Sequence, residues 1–303
     1  MNTKKAQFEW GAKTYVMGIL NITPDSFSGD GALASPRGAL GEAGTDSKGS
    51  PWIDEIVEKG GQMERDGADV LDVGGESTRP GATPVSLEEE LARVIPVIKA
   101  LSQKVQIPIS IDTYKAEVAR QAIEAGATII NDAWGGKREP EILKVAAEKN
   151  VPIILMHNRS DAKNLVQNET LGNSYAGVEY KNLIEDIKKE LQDLIDEAIA
   201  AGVRKENIIM DPGLGFGKTV EQNIELIQRL DEIKSLGLPL LVGPSRKSFV
   251  GHTLNLPPED RLEGTIAAVT LCIQKGADII RVHDVKENNR AVRFTDAVVR
   301  IGR

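Results

Sequence analysis

Short apolar segments alternate with helical segments along most of this 303-residue chain. Runs of strand length are followed by stretches whose apolar residues recur every three or four positions, as in an amphipathic helix. The predicted strands are 15–20, 70–75, 107–111, 128–130, 153–156, 208–211, 238–242 and 279–284. The predicted helices are 52–65, one that begins after Ser86, 115–124, 139–149, 178–201, 220–236, 262–275 and 286–299.

Eight such units predict an α/β fold in which parallel strands close into a (β/α)8 TIM barrel. An open doubly wound sheet is the alternative, although it would not require eight units of such even size. A hydrophobic content of 41% is enough for one large core, so we predict a single domain over residues 1–303. Residues 29–50 are rich in Gly, Ala, Ser and Asp, and we interpret them as a long, glycine-rich, mobile first βα loop inserted in that domain.

The charge and the cysteine content limit the possible binding partners and the cellular compartment of the chain. A net charge of -8 argues against nucleic acid and against an anionic membrane surface, because both require an excess of basic residues. The single cysteine, Cys272, lies in an apolar run and is predicted to be a buried, inert thiol. No stretch approaches the length of a membrane span and no signal peptide is evident. We expect a soluble, cytoplasmic chain.

Polar residues stand where the predicted strands end. Burying such residues is costly unless they have partners or a function. In a barrel the carboxyl ends of all strands share one rim, which is where active sites of this fold lie. The strand-end residues are Asn21, Thr78, Arg79, Asp112, Asn131, His157, Asp211, Lys247, Arg281 and His283. We therefore predict a site to which the whole chain contributes.

The strand-end residues separate into two chemical types. One group offers acceptors and an amide, which suit a flat heterocycle with a row of N–H donors, such as an aminopyrimidine edge; its members are Asp112, Asn131 and Asp211. The other group offers cations and donors, which suit phosphate oxygens; its members are Arg79, Lys247, Arg281 and His283. A ligand with an aminopyrimidine at one end and phosphates at the other would match both groups.

The segment 211–218 places a carboxylate before three glycines and a lysine. Gly213, Gly215 and Gly217 recur at intervals of two, which fits neither a phosphate-binding loop nor the dinucleotide fingerprint. We interpret the segment as a tight loop of little bulk beside a ligand, with Asp211 at the end of its strand. Lys218 is predicted to be solvated rather than to bind phosphate.

The three histidines of the chain suggest few roles in catalysis or metal binding. His157 either acts directly in the site or only closes the rim, and His252 is predicted to lie on the surface. The three histidines of the chain lack metal-ligand spacing, so a histidine-based metal site is not expected. A magnesium ion held by Asn21 and by substrate phosphates fits better, because Mg²⁺ takes few protein ligands.

Several of these segments together resemble the dihydropteroate synthase family. They are MGILNITPDSFS at 17–28, DVGGESTRPG at 72–81, SIDT at 110–113, IND at 130–132, MHN at 156–158, DPGLGFGK at 211–218, SRKS at 245–248 and RVHDV at 281–285. The resemblance implies a transferase of folate synthesis and a sulfonamide target. Its reaction joins 6-hydroxymethyl-7,8-dihydropterin pyrophosphate to p-aminobenzoate, giving 7,8-dihydropteroate and pyrophosphate. The first loop of the family is usually shorter than residues 29–50.

The resemblance also implies a role for each matching residue. The implied pterin pocket comprises Asp112, Asn131, Asp211, Lys247 and Met156. The implied pyrophosphate anchors are Asn21, Arg281, His283 and Arg79, and Asn21 is the implied ligand of Mg²⁺. The implied p-aminobenzoate pocket comprises Phe27, Thr78, Arg79, Pro80, Phe216, Lys247 and Ser248. Lys247, Arg281, His283 and Asn21 are the implied catalytic residues, in a substitution where pyrophosphate leaves before the amine attacks.

Two other functions remain open. Pterin-dependent methyltransferases resemble the chain at Asp112, Asn131 and Asp211, but they have no use for a pyrophosphate anchor. A non-catalytic pterin-binding paralogue should have lost an anchor or pocket residue, and none is missing here. Members of the family are commonly dimers that pair through late helices, and the apolar segment 262–275 permits a homodimer.

Overall fold

The computed structural model describes residues 8–22, 51–77, 84–176 and 178–300. Eight parallel strands form the central sheet: β1 (Tyr15–Asn21), β2 (Val70–Gly74), β3 (Ile109–Asp112), β4 (Ile129–Asp132), β5 (Ile153–Met156), β8 (Ile208–Asp211), β9 (Leu241–Val242) and β10 (Ile279–Val282). A separate antiparallel hairpin consists of β6 (Leu165–Val166) and β7 (Ser174–Tyr175). The helices are α1 (Pro51–Arg65), α2 (Leu87–Lys104), α3 (Ala116–Ala125), α4 (Glu141–Lys149), α5 (Leu183–Ala200), α6 (Val220–Gln228), α7 (Leu230–Lys234), α8 (Ser248–Leu254), α9 (Leu262–Gln274) and α10 (Val285–Val299).

The sheet closes into a barrel. Its strands follow the order β8-β5-β4-β3-β2-β1-β10-β9, and a parallel bridge between Met210 and Leu240 joins the two ends. The predicted α/β barrel is therefore confirmed, and the open sheet is excluded by this closure. The loop 29–50 lies outside the described residues, and the single-domain assignment stays a prediction. Within the part of the chain that the structure describes, no helix is long and apolar enough to cross a membrane.

Two apolar layers surround the strands. The larger core lies between the strands and the helices, as expected when each helix packs its apolar face on a parallel sheet. A smaller cluster contains alternate strand residues from inside the barrel, and Phe8 packs against it. Phe8 stacks on Trp10 and meets the edge of Tyr15, with centroid distances of 4.6 and 4.9 Å. These rings lie at the start of β1, at the end of the barrel away from the strand-end residues.

Several predicted boundaries are corrected by the structure. The third and seventh strands are shorter than predicted because Pro108 and Pro239 have no N–H to donate to a sheet. The helix predicted at 178–201 begins at Leu183, after Asn182 caps it. The helix predicted at 220–236 is divided into α6 and α7 at Arg229. Neither α8 nor the β6–β7 hairpin was predicted, since both are too short for a clear periodic pattern.

The predicted start of α2 is confirmed, although only half of its capping box forms. The Ser86 hydroxyl accepts a hydrogen bond from Glu89 N at 3.2 Å. The Glu89 carboxylate does not return to the cap but pairs with Arg93, one turn later. An i, i+4 ion pair therefore replaces the second bond of the box.

Two adjacent glycines of α1 have different surroundings and provide a matched test of the packing. A Cβ added at Gly60 would lie 2.6 Å from Leu101 Cδ2 and 3.2 Å from Leu71 Cδ1, whereas one at Gly61 would meet only ordinary contacts with Arg65 and Lys104. We predict that Gly60→Ala lowers the free energy of unfolding by about 1–3 kcal/mol, because α1 is forced away from α2 and β2. Gly61→Ala should raise it by up to about 1 kcal/mol through helix propensity. Urea unfolding of both variants checks this, and equal effects at the two positions would contradict the packing.

Candidate active site

The strand register brings the predicted strand-end residues to one rim. Asp112 pairs in register with Asn131 on the neighbouring strand, and Met156 pairs with Asp211. Asn21 ends β1 beside Gly74, which in turn is the register partner of Asp112. Arg281 lies deeper, opposite Met17, so its long side chain can extend towards the rim.

Arg281 joins the two acids on β2 and β3. Its Nε donates to Asp72 Oδ2 at 2.6 Å, and its Nη2 donates to Asp112 Oδ2 at 2.7 Å. Asn131 Nδ2 donates to the same Asp72 oxygen at 2.9 Å. Asp72, which is fully buried, was not among the predicted site residues. A carboxylate inside the apolar strand Val70–Gly74 was the signal that could have revealed it.

Burial governs the protonation of these groups. Burial raises the pKa of Asp112 to about 7, although the neighbouring Arg281 acts to lower it. Burial alone would lower the pKa of Arg281, but Asp72 and Asp112 raise it overall, so the guanidinium stays charged. The cation is thus held against two buried acids, of which Asp112 can bind a proton near neutral pH.

The loop after Asp211 has the conformation that its glycines predict. Gly213, Gly215 and Gly217 have φ angles of 70°, 78° and 58°, in the left-handed region. A Cβ at Gly213 would lie 1.9 Å from the carbonyl oxygen of His157, so no larger residue fits there. Gly213 N donates to Asp211 Oδ1 at 2.7 Å, while burial raises the pKa of this carboxyl to about 6.

Lys218 was predicted to be solvated, and the structure shows that its side chain is buried. It is only 2% exposed, and its Nζ lies 3.0 Å from His157 Nδ1, 2.9 Å from the oxygen of Gly213 and 3.1 Å from that of Phe216. Burial lowers the pKa of Lys218 to about 7. The sequence pattern did not reveal this position because a lysine next to a glycine-rich turn is usually exposed.

His157 is completely buried behind the same loop. Its Nε2 lies 3.2 Å from Glu190 Oε2, on α5, and its Nδ1 faces Lys218. Burial, with a smaller contribution from Lys218, lowers the pKa of His157 to about 3, so the ring is neutral at physiological pH. Of the two interpretations of His157, the structure supports the one in which it closes the rim rather than contacts a ligand.

A cavity of about 390 Å³ opens at the rim beside Arg281. Predicted residues that line it are Asn21, Phe216, Lys247, Ser248, Arg281 and His283. Lys247 Nζ lies 4.0 Å from the centre of the Phe216 ring, a cation–π contact. His283 Nδ1 lies 3.0 Å from Ser245 Oγ, so this histidine, which directly follows β10, is oriented by the loop that carries Lys247.

Buried Arg261 supports that loop and was not predicted. Its guanidinium donates to the carbonyl oxygens of Arg246, Leu256 and Leu171 at 2.9–3.0 Å. Arg246 has a positive φ of 56°, which is costly for a residue with a side chain. Arg261 therefore ties the strained turn before Lys247 to the segment after α8 and to the loop of the β6–β7 hairpin.

Four predicted site residues lie outside the described residues: Phe27, Thr78, Arg79 and Pro80. His252 was predicted on the surface but is half-buried on α8, where its Nε2 lies 3.2 Å from the oxygen of Gly172. The helix that contains it was not predicted. Cys272 is buried as predicted, and burial raises the pKa of its thiol to about 12.

The residues at the rim could hold a magnesium ion only if the protein supplies few of its ligands. No group of three or more His, Cys, Asp or Glu residues that could hold a metal occurs among the described residues. Asn21 lines the cavity, and its side-chain amide has an oxygen of the type that Mg²⁺ prefers as a ligand. Asp72 and Asp112 already bind Arg281, so the remaining ligands would come from substrate and water.

Fold and rim together define a barrel enzyme with hydrogen-bonding acids next to a cation-lined cavity. The family model of pterin-binding enzymes matches residues 44–283. A dihydropteroate synthase of Clostridium beijerinckii is 50% identical over 99% of this chain and 100% of that protein. A Clostridium difficile dihydropteroate synthase, crystallised in the presence of pteroic acid, is 44% identical with a TM-score of 0.83 over 97% of this chain and 100% of that one. A Yersinia pestis dihydropteroate synthase in a sulfonamide drug complex is 38% identical with a TM-score of 0.82 over 98% of each chain.

The chain therefore belongs to the pterin-binding enzyme family and, within it, to the dihydropteroate synthases. The resemblance found in the sequence is confirmed by relatives that match over nearly the full length. The chain is accordingly a transferase.

Proposed function

We propose that this chain condenses 6-hydroxymethyl-7,8-dihydropterin pyrophosphate with p-aminobenzoate. In this proposal, different groups of rim residues bind the pterin, the pyrophosphate and the p-aminobenzoate. The observation that carries this proposal is the contact of Arg281 with Asp112 at the edge of a cavity that His283 and Asn21 also line. A pterin ring and a pyrophosphate must lie side by side in this substrate. The rim likewise has its acids and its cations side by side.

Asp112, Asn131 and Asp211 are proposed to bind the pterin edge, with Met156 and Lys247 completing the pocket. The N–H groups of an aminopyrimidine require acceptors, and the two buried acids provide them. Burial raises the pKa of Asp112 to about 7 and that of Asp211 to about 6. Each carboxyl can therefore be protonated or ionised near neutral pH, according to the ring atom that it faces. Buried acceptors left unpaired are costly, which favours a ligand that satisfies them.

Arg281, His283, Asn21 and Arg79 are proposed to anchor the pyrophosphate. Arg281 is the described member with the strongest support, because its guanidinium remains charged and fixed by two acids. Magnesium, when bound through Asn21, would neutralise charge on the phosphate oxygens. Arg281 and His283 would stabilise the charge that develops on pyrophosphate as it leaves.

The second substrate is proposed to bind between Phe216, Lys247 and Ser248, with Phe27, Thr78, Arg79 and Pro80 from the two early loops. The ring of Phe216 provides an apolar face, while the Lys247 ammonium near it suits a carboxylate. Pyrophosphate departs first, and the neutral aniline nitrogen then attacks the pterin methylene carbon. An arylamine is nucleophilic at pH 7, so no strong base is needed; in this assignment His157 stays neutral and buried, with Lys218 at its Nδ1.

The decisive measurement is pyrophosphate release with both substrates and magnesium. We expect release that depends on p-aminobenzoate, yields dihydropteroate and stops when a sulfonamide is added. Release that ignores p-aminobenzoate would retain the pterin and pyrophosphate sites but contradict the second pocket. Methyl transfer to a corrinoid protein would support a pterin-dependent methyltransferase instead, and pterin binding without any turnover would support a non-catalytic paralogue.

Replacement of Asp211 by Asn separates ligand binding from stability. The folded pKa of Asp211, about 6, is above the ordinary 3.8, so the fold favours the protonated form and loses stability as pH rises from 3.8 to 6. We predict that the thermal midpoint of Asp211→Asn at pH 8 equals or exceeds that of the wild type, with a smaller difference at pH 5. Pteroic acid affinity should fall by about tenfold or more, because a charged acceptor is lost.

Asp132→Asn is the matched control for this prediction. Asp132 also ends a strand and is fully buried, but its oxygens accept from Trp134 N and Gly136 N at 2.8 and 2.6 Å. Its replacement should change pteroic acid affinity by less than about threefold. Calorimetric titration measures both variants, and equal loss of affinity in the two would contradict a direct role of Asp211.

A cytoplasmic homodimer is also proposed. Helices α9 and α10 pack together and leave large apolar side chains exposed, with Leu271 at 50%, Phe294 at 74% and Val298 at 61% exposure. Phe294 and Val298 are four residues apart and therefore share a face of α10. An exposed apolar surface of this kind is typical of an interface.

Phe294→Glu tests the dimer. We expect a dimer for the wild type and a monomer for this variant, because a charge in an apolar interface would be desolvated on association. Light scattering after size exclusion measures both masses. Ile224→Glu on α6, where the isoleucine is 47% exposed, serves as a control and should remain dimeric. A dimer that persists in Phe294→Glu would exclude this face.

A further inference from the structure

Lys218 occupies a closed site directly behind the glycine loop that begins after Asp211. In its charged form the Lys218 amine has three N–H donors, and three acceptors lie within hydrogen-bond distance of its Nζ. They are Gly213 O at 2.9 Å, Phe216 O at 3.1 Å and His157 Nδ1 at 3.0 Å. Each donor of the buried ammonium can therefore have an acceptor.

Two of these acceptors belong to the loop itself. Gly213 and Phe216 are also the ends of a tight turn, because Phe216 N donates to Gly213 O at 3.1 Å. A segment with three glycines loses much conformational entropy when it is ordered, so its conformation depends on contacts from outside. Lys218 provides such contacts from the side of the loop that faces the barrel wall.

The third acceptor fixes Lys218 to that wall. For Nδ1 of His157 to accept from the ammonium, the ring proton must be on Nε2, which faces Glu190 Oε2 at 3.2 Å. Glu190 also pairs with Arg159, whose guanidinium lies 4.1 Å from the centre of the Tyr180 ring. This chain of polar contacts connects the glycine loop to α5.

The loop positioned in this way presents Phe216 to Lys247, at a distance of 4.0 Å from the ring centre. We propose that Lys218 is a positioning residue for the second substrate, which holds the loop so that Phe216 and Lys247 form one wall of its pocket. This inference rests on the proposed function of that pocket. Lys218 is 2% exposed and is not among the residues that line the cavity, so its effect on the substrate would be indirect.

Lys218→Met tests the proposal, since methionine has a similar length but no donors. We expect the KM for p-aminobenzoate to rise by about tenfold or more, the scale of one charge-assisted hydrogen bond. The KM for the pterin pyrophosphate should rise by less, because the loop reaches the proposed pterin pocket only through Gly213 N on Asp211 and through Lys247. Lys144→Met, at an exposed lysine of α4, is the matched control and should leave both constants unchanged. Equal rises in the two constants, or no rise in either, would overturn the positioning role.

Tyr180→Phe keeps the test decisive if Lys218→Met fails to fold. The Tyr180 hydroxyl donates to Gly217 O at 3.0 Å, so its loss loosens the same loop while the buried lysine remains. A selective rise in the KM for p-aminobenzoate is again expected, smaller than that of Lys218→Met, and an unselective change would count against the proposal. Pyrophosphate release by the wild type and by Lys144→Met tests the proposed function separately, so the two failures are distinguishable.

Discussion

The polar rim of the barrel depends on one half-buried cation. Arg281 donates to Asp72 and Asp112, and Asp72 also accepts from Asn131, so side chains from β10, β2, β3 and β4 are joined above the apolar interior. Removing water from three ionisable groups is expensive, and only their mutual contacts offset it. Loss of Arg281 would leave two buried acids without a cation between them. The acids of the rim can therefore exist in a barrel of this kind only together with the arginine.

This pairing gives the rim its chemical character. Because burial raises the pKa of Asp112 to about 7 despite the nearby guanidinium, the carboxyl binds a proton near neutrality, while Arg281 keeps its charge. A ligand with ring N–H groups and an anionic substituent would meet acceptors and a cation whose positions are already fixed. Such preorganisation reduces the reorganisation that charge separation would otherwise require. The same groups thus explain both why the rim is stable and why it suits the substrate of a dihydropteroate synthase.

The alternation of strands and helices predicted the barrel, because eight apolar runs with helical spacers leave few other ways to bury the chain. It failed at short elements: α8 and the β6–β7 hairpin have too few residues for a periodic pattern, and Pro239 shortens β9. Strand-end positions predicted which side chains share the rim, since register follows from the parallel sheet. Asp72 was missed because it precedes the end of its strand. Its contact with Arg281 joins residues 209 positions apart, which no local pattern can reveal.

The error at Lys218 has a different cause. A lysine is usually exposed because burying an ammonium group is costly unless several acceptors surround it, and a local sequence pattern does not show such acceptors. Here three acceptors converge on Nζ only after the loop has folded, and two of them are backbone carbonyls that every sequence contains. Glycines at 213 and 217 also allow the loop to approach the segment after β5 closely, since any Cβ there would collide with backbone atoms of His157 and Arg159. The close approach that requires glycine thus brings the carbonyls to the lysine, so the burial of Lys218 follows from the same geometry as the glycines.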